Sequence, residues 1–166
     1  KMDTLKGLKR THMCGNVTAA DEGKNITVMG WVQRVRNLGS LVFIDVRDRT
    51  GILQLVADEG FAKYELAGDL HLEYVIAASG TVMKRGEANE KLKTGEVEVK
   101  LTELRVLSKA DTPPFVVSDD TTAKEETRLK YRYLDLRRPT LQENLMLRHR
   151  ITKIARDFYI VLDTEE

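Results

Sequence analysis

The fold is decided by residues 30–56, which read GWVQRVRNLGSLVFIDVRDRTGILQLV. Within residues 41–47 the β-branched side chains occupy every second position and share one face of a strand, while Phe43 and Asp45 share the other. Two turn signals, NLGS and DRTG, separate three such alternating runs. The pattern predicts a three-stranded antiparallel meander. Its strands should cover about residues 26–36, 41–47 and 52–57.

The first strand of the meander changes character towards its end. Val28 and Val32 lie on one face of the strand. Arg34 and Arg36 continue the same alternation and would lie on that face, where apolar residues are expected. A bulge or bend in the strand would re-aim these side chains, and glycine tolerates such a backbone. We predict this irregularity at Gly30.

The rest of the first domain continues the β pattern. Residues 61–70 predict a short helix, and residues 71–83 return to extended character. Residues 96–101 alternate between charged and aliphatic side chains, which predicts a fifth strand. Three strands, a helix and two strands are the order of the OB-fold, a five-stranded Greek-key barrel. We therefore predict a mainly β protein whose OB-fold occupies residues 1–110.

A different organisation begins after the barrel. Prolines at 113–114 interrupt regular structure, so we expect a linker and hinge helix over residues 111–138. Residues 122–125 (TAKE) have capping-box spacing and predict the start of that helix. Residues 139–166 begin with proline, which suits the first turn of a second helix. Its apolar stripe has no partner in this sequence and consists of Leu147, Ile151, Ile154 and Phe158.

Composition limits the classes of function. An apolar share of 42% supports a packed core, no run is long enough to span a membrane, and a net charge of +1 requires any nucleic-acid affinity to arise locally. The single cysteine, Cys14, and the polar, basic residues 1–10 predict a cytoplasmic protein without disulfides or a signal peptide. The three histidines lack metal-ligand spacing, and no nucleophile elbow or phosphate-binding loop occurs. We predict no catalytic or metal site in these residues.

The polar face of the meander favours binding. Phe43 is either a stacking platform for a splayed base or a structural residue, which would be a plug at the barrel end or a side chain covered by a loop, and its position alone gives these readings equal weight. Gln54 can offer a donor and an acceptor to a base edge. Arg34 and Arg36 either contact phosphates and bases or form an ordinary solvated edge. Together on one face of an OB-like barrel, these residues favour single-stranded nucleic acid.

Two motifs carry a resemblance to a known family. Residues 30–51 (GWVQRVRNLGSLVFIDVRDRTG) and residues 131–139 (YRYLDLRRP) resemble bacterial-type aspartyl-tRNA synthetase, as do residues 10–15 and 94–99. The resemblance implies an anticodon-binding OB domain, a hinge and the start of the class II catalytic domain. The parent enzyme would use ATP and Mg²⁺ to join aspartate to tRNA-Asp, and would be a homodimer. Motifs 2 and 3 are absent, so we expect these residues alone to lack activity and to bind no cofactor.

The resemblance also implies roles for individual residues. Phe43 would stack on an anticodon base, Gln54 and Glu96 would contact base edges, and Arg36 would contact the loop with Arg34 as its helper. Leu38 is a further candidate, because leucine at this loop position favours recognition of tRNA-Asp alone over recognition of both tRNA-Asp and tRNA-Asn. Arg85 is another candidate, and Glu98 would take the place of Glu96 if the alignment shifted by one strand repeat. The dimer interface would contain Leu147, Ile151, Ile154 and Phe158.

A rival hypothesis is a free-standing OB protein that binds single-stranded nucleic acid without sequence preference. Its terminal helices would then serve oligomerisation. Selectivity for one loop sequence separates the two hypotheses.

Overall fold

The computed structural model describes residues 2–163, with side chains up to residue 160. Its first unit ends at Pro113 and contains a closed barrel in which neighbouring strands follow the order β1-β2-β3-β5-β4. This confirms the predicted mainly β, OB-type barrel. The elements are β1 (Asn25–Asn37), β2 (Leu41–Asp48), β3 (Gly51–Asp58), α1 (Tyr64–Gly68), β4 (Val75–Lys84) and β5 (Val97–Ser108).

Alternation along the strands fills the barrel. The inward residues of β2 and β3 are completely buried, because each antiparallel pair places aliphatic side chains opposite one another. Val42, Ile44 and Val46 lie opposite Ala57, Leu55 and Leu53 in that order. The short parallel contact between β3 and β5 and the antiparallel pairing of β4 with β1 and β5 close the barrel.

The irregularity in β1 lies later than predicted. The register with β2 shifts between Val32 and Arg34, so Gln33 is the extra residue and the bulge is not at Gly30. After the bulge Val35 packs against the core, while Arg36 lies opposite Phe43 on the outer face. Gly30 instead serves close packing, since a Cβ atom there would lie 2.4 Å from the carbonyl oxygen of Arg47.

A buried ion pair lies on the outer face of the barrel, near the C-terminal end of β2. Arg47 Nη2 donates to both carboxylate oxygens of Glu73, at 3.0 and 2.9 Å, and the two side chains are 10% and 9% exposed. Glu73 adopts φ 64°, a left-handed conformation that side chains other than glycine rarely take. The Arg47 guanidinium also lies 6.0 Å from the centre of the Trp31 ring. The pair therefore fixes the segment that precedes β4.

The turn after β2 is tied to the N-terminal segment. Asp48 accepts hydrogen bonds from the backbone N–H of Cys14 at 2.7 Å, and from the Thr50 N–H and hydroxyl at 2.7 and 2.6 Å. Burial opposes ionisation of Asp48, but these donors outweigh it and hold the pKa of the carboxyl below its usual value. Burial, together with the Asp48 carboxylate, raises the pKa of the Cys14 thiol far above its ordinary value.

The second unit begins at Pro114 and is helical. Its helices are α2 (Glu125–Lys130), α3 (Arg132–Asp135) and α4 (Pro139–Asp163), so Pro139 starts a helix as predicted. The predicted capping box is not formed, because α2 begins only at Glu125 and its N-cap residue, Lys124, makes no side-chain cap bond. Asp119 instead accepts a hydrogen bond from the Thr140 N–H at 3.1 Å, at the start of α4.

The motif YRYLDLRRP folds around one buried carboxylate. Asp135 is 1% exposed and forms ion pairs with Arg132 Nη1 at 2.8 Å and Arg138 Nε at 2.9 Å. Leu134 packs beside it with Phe115 in a small apolar cluster. The charged motif therefore has a structural role in joining α3 to the start of α4. Within the described residues, no helix is both long and apolar enough to cross a membrane.

Candidate nucleic-acid interface

The outer face of β1, β2, β3 and β5 carries a polar cluster centred on Gln54. This glutamine is only 4% exposed, although it belongs to the outward parity of β3. Its Oε1 accepts from Arg36 Nη2 at 2.7 Å and from Arg85 Nη2 at 2.9 Å, and its Nε2 donates to Glu98 Oε2 at 2.7 Å. The amide thus lies between two cations and one carboxylate. We call Arg36, Gln54, Arg85 and Glu98 the Gln54 cluster.

Phe43 borders this cluster. The guanidinium carbon of Arg36 lies 5.4 Å from the centre of the Phe43 ring, within the distance of a cation–π contact. Arg36 Nη2 also approaches Asp45 Oδ1 at 3.5 Å. The Phe43 side chain is partly exposed, so it is not a plug inside the barrel. An aromatic ring beside held polar groups is an arrangement on which an unpaired base can stack while its edge is read.

The hydrogen-bonding capacity of the Gln54 cluster can be counted. Two arginines occupy both acceptor positions of the Gln54 Oε1, whereas its Nε2 uses one hydrogen and has a second to offer. The carboxylates of Glu98 and Asp45 balance the two arginine charges. A phosphate therefore finds no net positive charge here, while base N–H groups find carboxylate acceptors. The cluster suits base edges better than the backbone of a nucleic acid.

The structure places the other predicted residues around this cluster. Glu96 is exposed, and its carbonyl accepts from the Arg85 N–H at 2.9 Å, whereas the side chain that reaches Gln54 is that of Glu98. Arg34 is exposed and lies opposite Asp45 in the strand pairing. Leu38, 68% exposed, lies in the turn between β1 and β2.

The sequence analysis did not include Asp45 among the candidate site residues. The signal was present, since Asp45 lies two residues after Phe43 in β2 and therefore on the same face of the strand.

The apolar stripe of α4 is exposed in the second unit. Its four predicted members each have more than half of their side-chain surface open. The stripe consists of Leu147, Ile151, Ile154 and Phe158.

Two family models match the chain. Residues 26–107 match the model described as OB-fold nucleic acid binding domain. Residues 124–163 match the model described as tRNA synthetases class II (D, K and N). The first match covers the barrel and the second covers α2 to α4.

Curated relatives are similar over most of the chain. An aspartate–tRNA ligase from Agathobacter rectalis is 54% identical over 160 residues, which is 94% of this chain and 27% of that protein. An aspartate–tRNA(Asp/Asn) ligase from Thermoanaerobacter pseudethanolicus is 52% identical over 163 residues, with coverages of 94% and 27%. The chain thus spans about a quarter of the length of these relatives.

Solved structures share the architecture. Asparaginyl-tRNA synthetase from Pyrococcus horikoshii, complexed with asparaginyl-adenylate, is 26% identical with a TM-score of 0.77, covering 92% of this chain and 34% of that one. Aspartyl-tRNA synthetase from Entamoeba histolytica has a TM-score of 0.86 at 22% identity, covering 95% and 38%, and supports the fold alone. The sequence and family matches place this chain in the aspartate–tRNA ligase family, of which it carries the OB-fold nucleic acid binding domain and part of the class II synthetase region.

Proposed function

We propose that this chain recognises the anticodon loop of tRNA-Asp as part of an aspartate–tRNA ligase. The observation that carries the proposal is the Gln54 cluster beside the Phe43 ring, on the outer face of an OB barrel. The full-length protein would join aspartate to tRNA-Asp through an aspartyl-adenylate, with ATP and Mg²⁺, in the cytoplasm. Residues 1–110 would form the binding domain, residues 111–138 the hinge, and residues 139–166 the start of the catalytic domain.

The binding face would act by stacking and by base-edge contacts. A base stacked on Phe43 contributes roughly 1–3 kcal/mol. Gln54 offers its remaining N–H to a base acceptor, and Glu98 accepts from the N–H groups that guanine and cytosine present. Arg36 and Arg85 are already held by Gln54, so their positions are set before the RNA arrives. Glu96, exposed in the turn just before β5, and Arg34 would contact the loop at the margin of the cluster.

The chemistry of aspartate activation is not assigned to these residues. Within the described part of the chain, no group of three or more His, Cys, Asp or Glu side chains is arranged to hold a metal ion. The chain spans 27% of the length of this relative, and the proposal does not place the ATP and aspartate sites within these residues.

A titration tests anticodon recognition. The chain is titrated at fixed salt with an Asp anticodon stem-loop and with a stem-loop of scrambled loop sequence. We expect the Asp loop to bind at least tenfold more tightly, and Phe43→Ala to weaken it by about 1–3 kcal/mol. Tyr133→Ala, which removes an exposed aromatic ring from α3, is the matched control and should leave the affinity unchanged.

The same titration separates the rival hypotheses. Equal affinity for the two loops would contradict anticodon recognition and favour a non-selective single-strand-binding protein. Binding to neither loop would contradict any nucleic-acid role for the Gln54 cluster.

We further propose that the α4 stripe forms the homodimer contact. Its spacing of i, i+4, i+7 and i+11 produces one apolar seam, and its exposed members require a partner to leave water. Sedimentation equilibrium tests this role. Ile154→Asp should shift the chain towards monomer, while Lys153→Glu, one position away and outside the seam, should not. A monomeric wild-type chain at high micromolar concentration would contradict the proposal for this length of chain.

A further inference from the structure

The turn between β1 and β2 is unusually well restrained for an exposed loop. Asn37 Oδ1 accepts from the Gly39 N–H at 3.0 Å, and the Leu38 N–H donates to the Leu41 carbonyl at 2.9 Å. Gly39 takes φ +88°, which glycine adopts without strain. These bonds define the internal shape of the turn. They do not attach it to the barrel wall.

Helix α1 supplies that attachment. The Tyr64 hydroxyl donates to the carbonyl oxygen of Gly39, while the Tyr64 ring packs against the barrel core. At the other end of α1, Gly68 approaches the turn closely, since a Cβ atom there would lie 3.3 Å from Asn37 Nδ2. A five-residue helix between β3 and β4 therefore contacts the turn at two points. One is a hydrogen bond and the other is close packing.

The restrained turn presents an apolar side chain beside the binding face. Leu38 is 68% exposed, and it follows the strand positions where Arg36 pairs with Phe43. Exposed loop tips are ordinarily mobile, and an exposed leucine there gains nothing from being held still. A fixed leucine favours binding if it packs against a bound ribose or base, because a side chain that is already held in place loses less conformational entropy when the RNA binds.

We propose that Tyr64 is a positioning residue for RNA recognition, acting through the Gly39 carbonyl to fix Leu38 at the edge of the Phe43 platform. This inference rests on the proposed anticodon function. Tyr64 does not itself contact RNA. Its hydroxyl sets the position of the turn, and the turn sets where the bound loop meets an apolar edge. Loosening the turn should therefore reduce selectivity among loop sequences as well as affinity.

Tyr64→Phe tests the proposal, because it removes the hydroxyl and leaves the packed ring. The chain is titrated with the Asp anticodon stem-loop and with stem-loops that each carry one substituted anticodon base. We expect Tyr64→Phe to weaken cognate binding about three- to tenfold, the effect of one lost hydrogen bond, and to narrow the ratio between cognate and substituted loops. Tyr74→Phe is the matched control, since Tyr74 also packs on the core, while its ring lies 5.4 Å from that of His71 and its carbonyl accepts from the Val32 N–H rather than from the turn.

Two further measurements identify the route of the effect. In a Leu38→Ala background, Tyr64→Phe should have less than a twofold effect, because the positioned side chain is gone. The backbone order parameter of Gly39, measured by NMR, should fall in Tyr64→Phe and stay unchanged in Tyr74→Phe. If Tyr64→Phe were poorly folded, Gly68→Ala would replace it, since the added Cβ would lie 3.3 Å from Asn37 Nδ2 and would press on that side chain from the other end of α1.

The outcomes distinguish this inference from the function on which it rests. A wild-type chain that does not prefer the Asp loop would overturn both. A selective wild-type chain whose Tyr64→Phe variant keeps full affinity and selectivity would overturn the role of Tyr64 alone. Equal effects of Tyr64→Phe with and without Leu38 would also overturn it, because the action would then not pass through Leu38.

Discussion

Removing the carboxylate of Glu73 should strongly destabilise the barrel. Glu73→Ala leaves the Arg47 guanidinium without the partner that now receives two hydrogen bonds, at a site where the arginine side chain is 10% exposed. Truncating one member of a buried pair costs about 3–5 kcal/mol, because the remaining charge stays desolvated. Arg47 keeps its contact with the Trp31 ring. We therefore expect the free energy of unfolding to fall by about 3 kcal/mol, the lower end of this range.

The measurement is urea unfolding followed by tryptophan fluorescence. Trp31 is the single tryptophan of the chain and lies in the barrel, so its signal reports this unit and not the helices. With a typical m-value of about 1–3 kcal/mol/M, the unfolding midpoint should fall by about 1–3 M urea. Glu73→Gly should lose somewhat less stability than Glu73→Ala, because glycine adopts the φ of 64° at this position without strain.

The control is an ion pair exposed to solvent on β5. Glu103 pairs with Arg105 at 2.6 Å with 37% of its side chain exposed, and Glu103→Ala should cost at most about 1 kcal/mol. If Glu73→Ala lost no more than Glu103→Ala, the pair with Arg47 would be no stronger than a surface contact. Burial would then add nothing to the strength of this ion pair.

Three further predictions concern the N-terminal tie and the Gln54 cluster. Since the pKa of Asp48 is lowered on folding, its contribution is present above about pH 4 and disappears as the pH falls through the folded-state value. Asp48→Asn should therefore flatten the acid limb of stability against pH. Cys14, with its raised pKa, should react with a thiol reagent only after urea unfolds the chain, and reaction in the native state would refute its burial. Arg36→Ala and Gln54→Ala should be non-additive in RNA binding by at least about 0.5 kcal/mol, measured as a double-mutant cycle.

The barrel was predictable from sequence because its signal is local. Alternation in residues 41–47 follows directly from the geometry of a strand, and the turn residues on each side need no distant partner. The bulge was misplaced because two effects favour glycine in strands. One is tolerance of irregular backbone, and the other is close approach of a neighbouring strand. Gly30 is required for the second, while the bulge at Gln33 carries no distinctive residue.

The contacts within the site join residues that are far apart along the chain, and a local sequence pattern does not predict which of them will meet. Parity placed Phe43 and Gln54 on one face, but Gln54 bonds to Arg85 across 31 positions and to Glu98 across 44. Whether Glu96 or Glu98 reaches the amide depends on the register between β3 and β5, and that register is set by tertiary pairing. The helix start predicted at residues 122–125 was wrong for a local reason. The Thr121 hydroxyl oxygen accepts from the Ala123 N–H, and α2 begins only at Glu125.

The bulge at Gln33 divides the outer face into two parts with different physical roles. Before the bulge, Trp31 lies opposite Arg47, and the ion pair with Glu73 is buried beneath this part of the surface. After it, Arg36 lies opposite Phe43, and both side chains remain partly exposed. One extra residue thus changes which side chains of a single strand face outwards. The sealed part restrains β2, and the proposed stacking platform on the open part would need that rigidity. Stacking and base-edge contacts lose selectivity when their geometry is loose.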